Sequence, residues 1–173
     1  MTTMMCLERR AVGAALLVAA LLAAPLAQAG DLSLLINGKA IHINAPATAN
    51  YNERNWGGGL HYDFDPVKRH WVPFVTASGF RDSYKRPSYY AGGGIMRRYA
   101  IAPSLDDLRA DIGVVAFFMT REDYKDNDPF FGILPVLSLG TDKVALNITY
   151  VPKVHPKMTA LVFFQLKLKL MEF

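Results

Sequence analysis

Cysteine is almost missing from this chain. Its 173 residues include one, Cys6, which precedes an apolar N-terminal run and so is not placed to be a lipoprotein acceptor. Beyond that point, a disulfide framework, a thiol nucleophile and a cysteine-based metal site are all excluded. The chain has no zinc, phosphate-loop or dinucleotide motif, so no metal or other cofactor is expected. Charge of one sign is also in short supply. The formal net charge is +4 and falls by one when Glu8, Arg9 and Arg10 are set aside with a leader, too mild a surplus to argue for nucleic acid. After the first thirty positions nothing approaches the ~20 consecutive apolar residues of a membrane helix, and helical periodicity is scarce.

The N-terminus reads as a targeting segment. Glu8, Arg9 and Arg10 form a charged start, 11–26 is apolar, and Ala27-Gln28-Ala29 has a small-x-small cleavage pattern. Cleavage after Ala29 leaves 30–173 as a single domain. A membrane anchor is the alternative, but the run is short for one and ends at Pro25.

Eight segments of about ten residues alternate in hydrophobicity: 31–44, 54–64, 71–81, 88–99, 109–119, 132–139, 143–151 and 158–170. Short breaks rich in Asp, Asn, Gly and Pro separate them. A leader, no later cysteine and an even number of alternating strands predict an all-β fold, an eight-stranded antiparallel up-and-down barrel in the outer membrane. A soluble sandwich or lipocalin-like barrel is the competing architecture. The last segment separates the two. Val162, Phe164, Leu166, Leu168 and Leu170 share one face, and Gln165, Lys167 and Lys169 the other. Lipid outside calls for leucines out and lysines in. Phe173 closes the chain on an aromatic but falls out of parity with the leucine face.

With both termini in the periplasm, strand direction sorts inward residues by height. The outer half of the interior reads as apolar or small-sided: Gly57 and Gly59, Gly92 and Gly94, then Gly113, Val115, Phe117 and Met119. The inner half holds His61, Asp63, Arg98, Asp111, Lys167 and Lys169, with Lys167, Lys169 and Arg98 expected to pair with Asp63 and Asp111, because buried charges need partners. That profile suits either a slot for a hydrocarbon chain or an interior filled by its own side chains. The same topology brings Asp82-Ser83, His42 and His155 to the outer end, leaving His61 low and His70 in a periplasmic turn. A His beside a hydroxyl, oriented by a carboxylate, is the arrangement of a general base and its partner. Ordinary turn hydrogen bonding is the plainer reading of Asp82-Ser83.

The order of motifs then resembles one family. Tyr51-Asn52-Glu53-Arg54-Asn55-Trp56-Gly57-Gly58-Gly59 resembles the YNERxWGGG signature of the PagP-type lipid A palmitoyltransferases. Phe80-Arg81-Asp82-Ser83 resembles their F-K-D-S loop, and Ala91-Gly92-Gly93-Gly94 their A-G-x-G strand. The stretch from Leu134-Pro135-Val136 to Thr149-Tyr150-Val151-Pro152 is similar to their strands 6 and 7. The resemblance implies an outer-membrane acyltransferase. It would move a palmitoyl chain from a glycerophospholipid donor to lipid A, as a monomer and without cofactor. The implied catalytic set is His42, Asp82 and Ser83. The implied acyl pocket includes Gly92 and Gly94, with Gly94 setting chain length and Val115, Phe117 and Met119 alongside. Pro135 and Pro152 would open a lateral route for lipid. The family's second opening, between strands 1 and 2, also uses prolines, whereas Asn37 and Asn55 stand there in this chain. A lipid hydrolase and a non-enzymatic lipid-binding barrel are the alternative functions.

Overall fold

The computed structural model describes residues 29–173 except 47, 103, 105, 106 and 154–158. All of the expected leader (1–29) but Ala29, and His155, therefore lie outside the described residues. All eight alternating segments form strands: β1 Gly30–His42, β2 Arg54–Phe64, β3 Trp71–Arg81, β4 Pro87–Ala102, β5 Leu108–Arg121, β6 Phe130–Gly140, β7 Val144–Val151 and β8 Leu161–Glu172. Each pairs antiparallel with its sequence neighbour, and β1 pairs with β8, closing an up-and-down barrel. Closure leaves no edge strand and lets neighbouring strands satisfy the backbone, as a lipid setting demands. A single 3-10 turn, Lys125–Asn127, is the helical structure among the described residues.

Inside and outside follow the alternation. On β5, Asp111, Val115 and Phe117 are buried while Ile112, Val114 and Phe118 are exposed. On β8, Gln165 and Lys167 are buried at 6 % and 5 %, whereas Leu166 and Leu170 are exposed. A barrel that hides lysine and presents leucine has lipid for its outer solvent. Exposed Trp56, Tyr89, Phe118, Phe131 and Tyr150 lie toward one end and Trp71, Tyr99 and Phe173 toward the other, the positions of interfacial aromatic girdles.

Two irregularities in the β1–β8 ladder break the alternation, the first with its extra residue in β1 and the second in β8. Asn37 pairs with Gln165 and Ala40 with Phe163, so β1 takes three steps where β8 takes two. This bulge at Gly38–Lys39 changes parity. Below it Ser33, Leu35 and Asn37 are buried; above it Ala40 is buried and Lys39 exposed. The second lies opposite Leu170: Ser33 pairs with Lys169, then Leu32 with Met171 and Asp31 with Glu172. The skipped residue puts Met171 and Phe173 back on the leucine face. It corrects the expectation that Phe173 is out of parity.

The lower end is a floor of ion pairs. Lys167 Nζ donates to Asp63 Oδ2 at 2.8 Å, and His61 Nε2 lies 2.9 Å from Asp63 Oδ1. Arg98 bonds Asp111 through Nε at 3.2 Å, Arg109 Nε lies 3.5 Å from the other Asp111 oxygen, and Arg109 also pairs with Asp142. Two of the expected pairs are therefore present. Lys169 is a correction: it binds Asp31 and Glu172, each at 2.7 Å, because the second bulge turns Glu172 inward beside Asp31.

Above the floor the interior is packed. Phe74, Met96, Val115, Phe117 and Val136 form one buried cluster with Tyr90, Met119 and Leu134 against it. A polar crossbar accompanies it, a feature missing from the expected division into apolar above and charged below. Gln165 Nε2 donates to Asn37 Oδ1 at 2.5 Å and to Tyr90 Oη at 2.9 Å. Asn37 Nδ2 donates to Ser78 Oγ at 2.7 Å.

Candidate active site

The upper rim gathers the end of β1, the 43–53 loop and the 82–86 turn. His42 is the last residue of β1, and the bulge below it turns its ring inward, where its side chain is 4 % exposed. Its Nε2 lies 2.9 Å from Ser83 Oγ. Tyr51 stacks on the imidazole with centroids 4.3 Å apart and planes at 15°, which fixes the ring's plane. Tyr51 is held in turn by Thr159, with the two oxygens 3.2 Å apart, and by an edge contact to Tyr84.

Ser83 is presented by a turn that Asp82 organises. Asp82 Oδ1 accepts the backbone N–H groups of Tyr84 at 2.8 Å and Arg86 at 2.9 Å; Oδ2 accepts the Ser88 hydroxyl at 3.3 Å and faces Arg121 at 3.6 Å. Asp82 is 2 % exposed and has its contacts on its own turn, on β4 and on β5. Asn52 clamps the same turn from the other loop. Its N–H donates to Ser83 O at 2.7 Å and its side-chain amide to Asp82 O at 2.9 Å. The three expected catalytic residues thus meet at one rim. His42 and Ser83 touch, while Asp82 shapes the turn.

Sequence reasoning gave no role to Tyr51, Asn52 or Glu53 individually. All three meet this site from one signature: Tyr51 stacks on the His42 ring, Asn52 holds the turn, and Glu53 Oε1 lies 4.0 Å from His42 Nδ1. The available signal was the YNER string itself, directly after a loop that the topology returns to the rim.

The expected pocket residues all point inward. Val115 and Phe117 belong to the packed cluster and Met119 lies against it. A side chain at Gly92 would meet the β5 backbone, with Phe117 Cα 2.6 Å from its Cβ. At Gly94 it would meet the Val114 carbonyl of β5 first, with Phe74 Cζ 2.6 Å away. These glycines allow close approach of a strand and a ring. Tyr90 stands between them and the rim on the same strand.

The wall is uneven. The β6–β7 ladder runs from Gly140–Ala145 to Val136–Thr149, and no pairing of these strands is present above it among the described residues. Pro135, which lacks an N–H, stands just above the last rung, and Pro152 follows the end of β7. By contrast, β1–β2 is closed to the rim, where Ala40 N–H donates to Glu53 O at 3.0 Å. Asn37 and Asn55 are both buried there. Asn37 also reaches Gly79 O at 3.0 Å, and Asn55 Nδ2 donates to Arg81 O at 2.7 Å, stitching β1 and β2 to β3.

Residues 27–167 match the family model described as "Antimicrobial peptide resistance and lipid A acylation protein PagP". The chain is 32 % identical over 127 residues to the lipid A acyltransferase PagP of Bordetella pertussis (strain Tohama I), covering 71 % of this chain and 68 % of that one. It is 29 % identical over 129 residues to the protein of the same name from Legionella longbeachae, covering 71 % and 54 %, and 31 % over 102 residues to that of Legionella pneumophila, covering 59 % and 52 %. Fold, rim and relatives together define a class, the β-barrel acyltransferases. Within it, the chain belongs to the PagP family.

Proposed function

We propose that this protein acylates lipid A in the outer leaflet of the outer membrane, with a glycerophospholipid as donor, a palmitoyl-length chain as the group moved and both termini in the periplasm. The observation that carries the reading is the His42–Ser83 pair, 2.9 Å apart at the rim of a lipid-facing barrel. The imidazole is the general base. Nε2 accepts the proton of the attacking hydroxyl, the donor's ester C–O bond breaks, and the proton passes to the departing glycerol oxygen. Ser83 is the hydroxyl already in contact with Nε2. A lipid A hydroxyl then attacks the acyl-Ser83 ester, the Ser83 O–C bond breaks, and the hydroxyl's proton passes through Nε2 back to Ser83 Oγ. Asp82 acts through the turn that holds Ser83.

Donor lipid reaches the rim through the unpaired upper part of β6–β7, beside Pro135 and Pro152. Its acyl chain passes Met119, Phe117 and Val115 toward Gly92 and Gly94, displacing flexible side chains of the cluster. The chain leaves one hydrocarbon medium for another, so burying methylenes yields little of the ~0.8 kcal/mol each that transfer from water would give. Length selection must then rest on shape, on what the chain cannot displace. The monomeric barrel needs no second subunit for this chemistry.

The test is the mass of lipid A from cells with and without the protein. Gain of one acyl chain supports transfer. Loss of one would assign a deacylase, and an unchanged mass would assign a non-enzymatic barrel.

A further inference from the structure

The imidazole of His42 is engaged at one nitrogen only. Nε2 faces Ser83, while Nδ1 is buried and has no hydrogen-bond partner. If Nε2 is to take a proton it must hold the lone pair, and the neutral ring's single proton then sits on Nδ1. A buried N–H with no acceptor is unfavourable, and the imidazolium formed on proton transfer needs a counter-charge more still.

The groups around the ring are few. Tyr51 covers one face and is itself capped by Tyr84; Ser83 approaches from the 82–86 turn; Arg121 comes from β5. Arg121 is directed to Asp82 and Asp123. Asp82 is the nearest acid in sequence to Ser83, but both of its oxygens are occupied by Tyr84, Arg86, Ser88 and Arg121. The carboxylate that faces Nδ1 is Glu53. Its Oε1 is 4.0 Å away and its Oε2 is 3.5 Å from Lys39 Nζ. The Glu53 backbone is fixed to β1 by Ala40 N–H, so a turn of the half-exposed side chain covers the remaining gap.

We propose that Glu53 is the positioning carboxylate of His42. Its Oε1 accepts Nδ1–H, selects the tautomer with a free Nε2, and stays ionised beside the imidazolium while the proton waits there. This inference rests on the reading of His42 as general base. It moves the orienting role from Asp82, the acid next to the nucleophile in sequence, to an acid thirty residues upstream.

The experiment is a pH–rate profile of acyl transfer by the full chain folded in detergent micelles, with a phospholipid donor and lipid A as acceptor. Wild type is compared with Glu53→Gln, Glu53→Asp and His42→Asn. Expected for Glu53→Gln is a kcat lower by about a hundredfold at unchanged KM, with the acid limb moved to lower pH because a charge that favours the imidazolium is gone. Glu53→Asp restores part of the rate, and His42→Asn is inactive. A Glu53→Gln enzyme near wild-type rate, with His42→Asn inactive, overturns the role of Glu53 alone. A lowered rate with the acid limb unmoved assigns Glu53 to loop structure and overturns it too. An active His42→Asn enzyme removes the underlying reading as well.

Discussion

The carboxylate of Asp82 accepts the backbone N–H of Tyr84 at 2.8 Å, closing the turn that carries Ser83. With Arg86 N–H on the same oxygen, Asp82 is an anchor for the loop. Asp82→Asn keeps an oxygen for these donors and is predicted to retain much more transfer activity than Asp82→Ala. The alanine variant loses the turn, at about 1 kcal/mol for part-buried hydrogen bonds removed. Acyl-transfer rates of the two variants, with thermal unfolding alongside, check this. Equal inactivity of both would mean that the charge itself serves the chemistry.

The floor pair makes a different kind of prediction. Lys167 and Asp63 are both buried and bonded to each other. Asp63→Asn alone leaves a buried ammonium with a weakened partner and is expected to destabilise the barrel, by up to ~3–5 kcal/mol. The double variant Asp63→Asn/Lys167→Met is expected to recover most of that. Urea unfolding of the barrel refolded in detergent micelles measures both. Additive losses would contradict the pairing.

Much of this was legible in the sequence, and the misses have physical causes. β8 could be read residue by residue because its leucines and lysines alternate without a break, and the polarity of each face decides which solvent it meets. That Lys167 and Arg98 would meet Asp63 or Asp111 followed from reading every strand in the same way, though not which cation takes which acid. His42 could be placed at the rim, but its inward aim could not be read: period-two alternation from Asn37 turns position 42 outward, and only the extra residue at Gly38–Lys39 reverses it. The second bulge hid the parity of Phe173 and the partners of Lys169 for the same reason. Bulges depend on pairing with a distant strand, so a local pattern does not reveal them. Asp82 beside Ser83 suggested an orienting acid because adjacency in sequence is visible. Glu53 was hidden because its approach to His42 depends on how a loop returns to the barrel.

Gly94→Met is predicted to loosen the β4–β5 pairing, where its Cβ meets Val114 O, and to shorten the transferred chain by several methylenes as the rest of the side chain displaces Phe74. The product's acyl length, read by mass spectrometry with mixed-chain donors, checks it. An unchanged length would place the end of the chain at the Tyr90–Gln165 bond, nearer the rim.

The β6–β7 gap predicts an asymmetry in lipid traffic. The described chain has no cysteine, so introduced pairs report cleanly. A thiol cross-link between Ile133→Cys and Tyr150→Cys, both on the outer face, should block transfer until it is reduced. One between Leu34→Cys and Leu60→Cys, a pair already in register on β1–β2, should not. Equal effects would remove the lateral route from the account.

The most direct measurement is the mass of lipid A from cells expressing the wild-type chain, His42→Ala or Ser83→Ala at equal barrel levels. The account predicts a gain of one acyl chain with wild type and none with either variant. A gain that persists in both variants would contradict the assignment of the reaction to the His42–Ser83 pair.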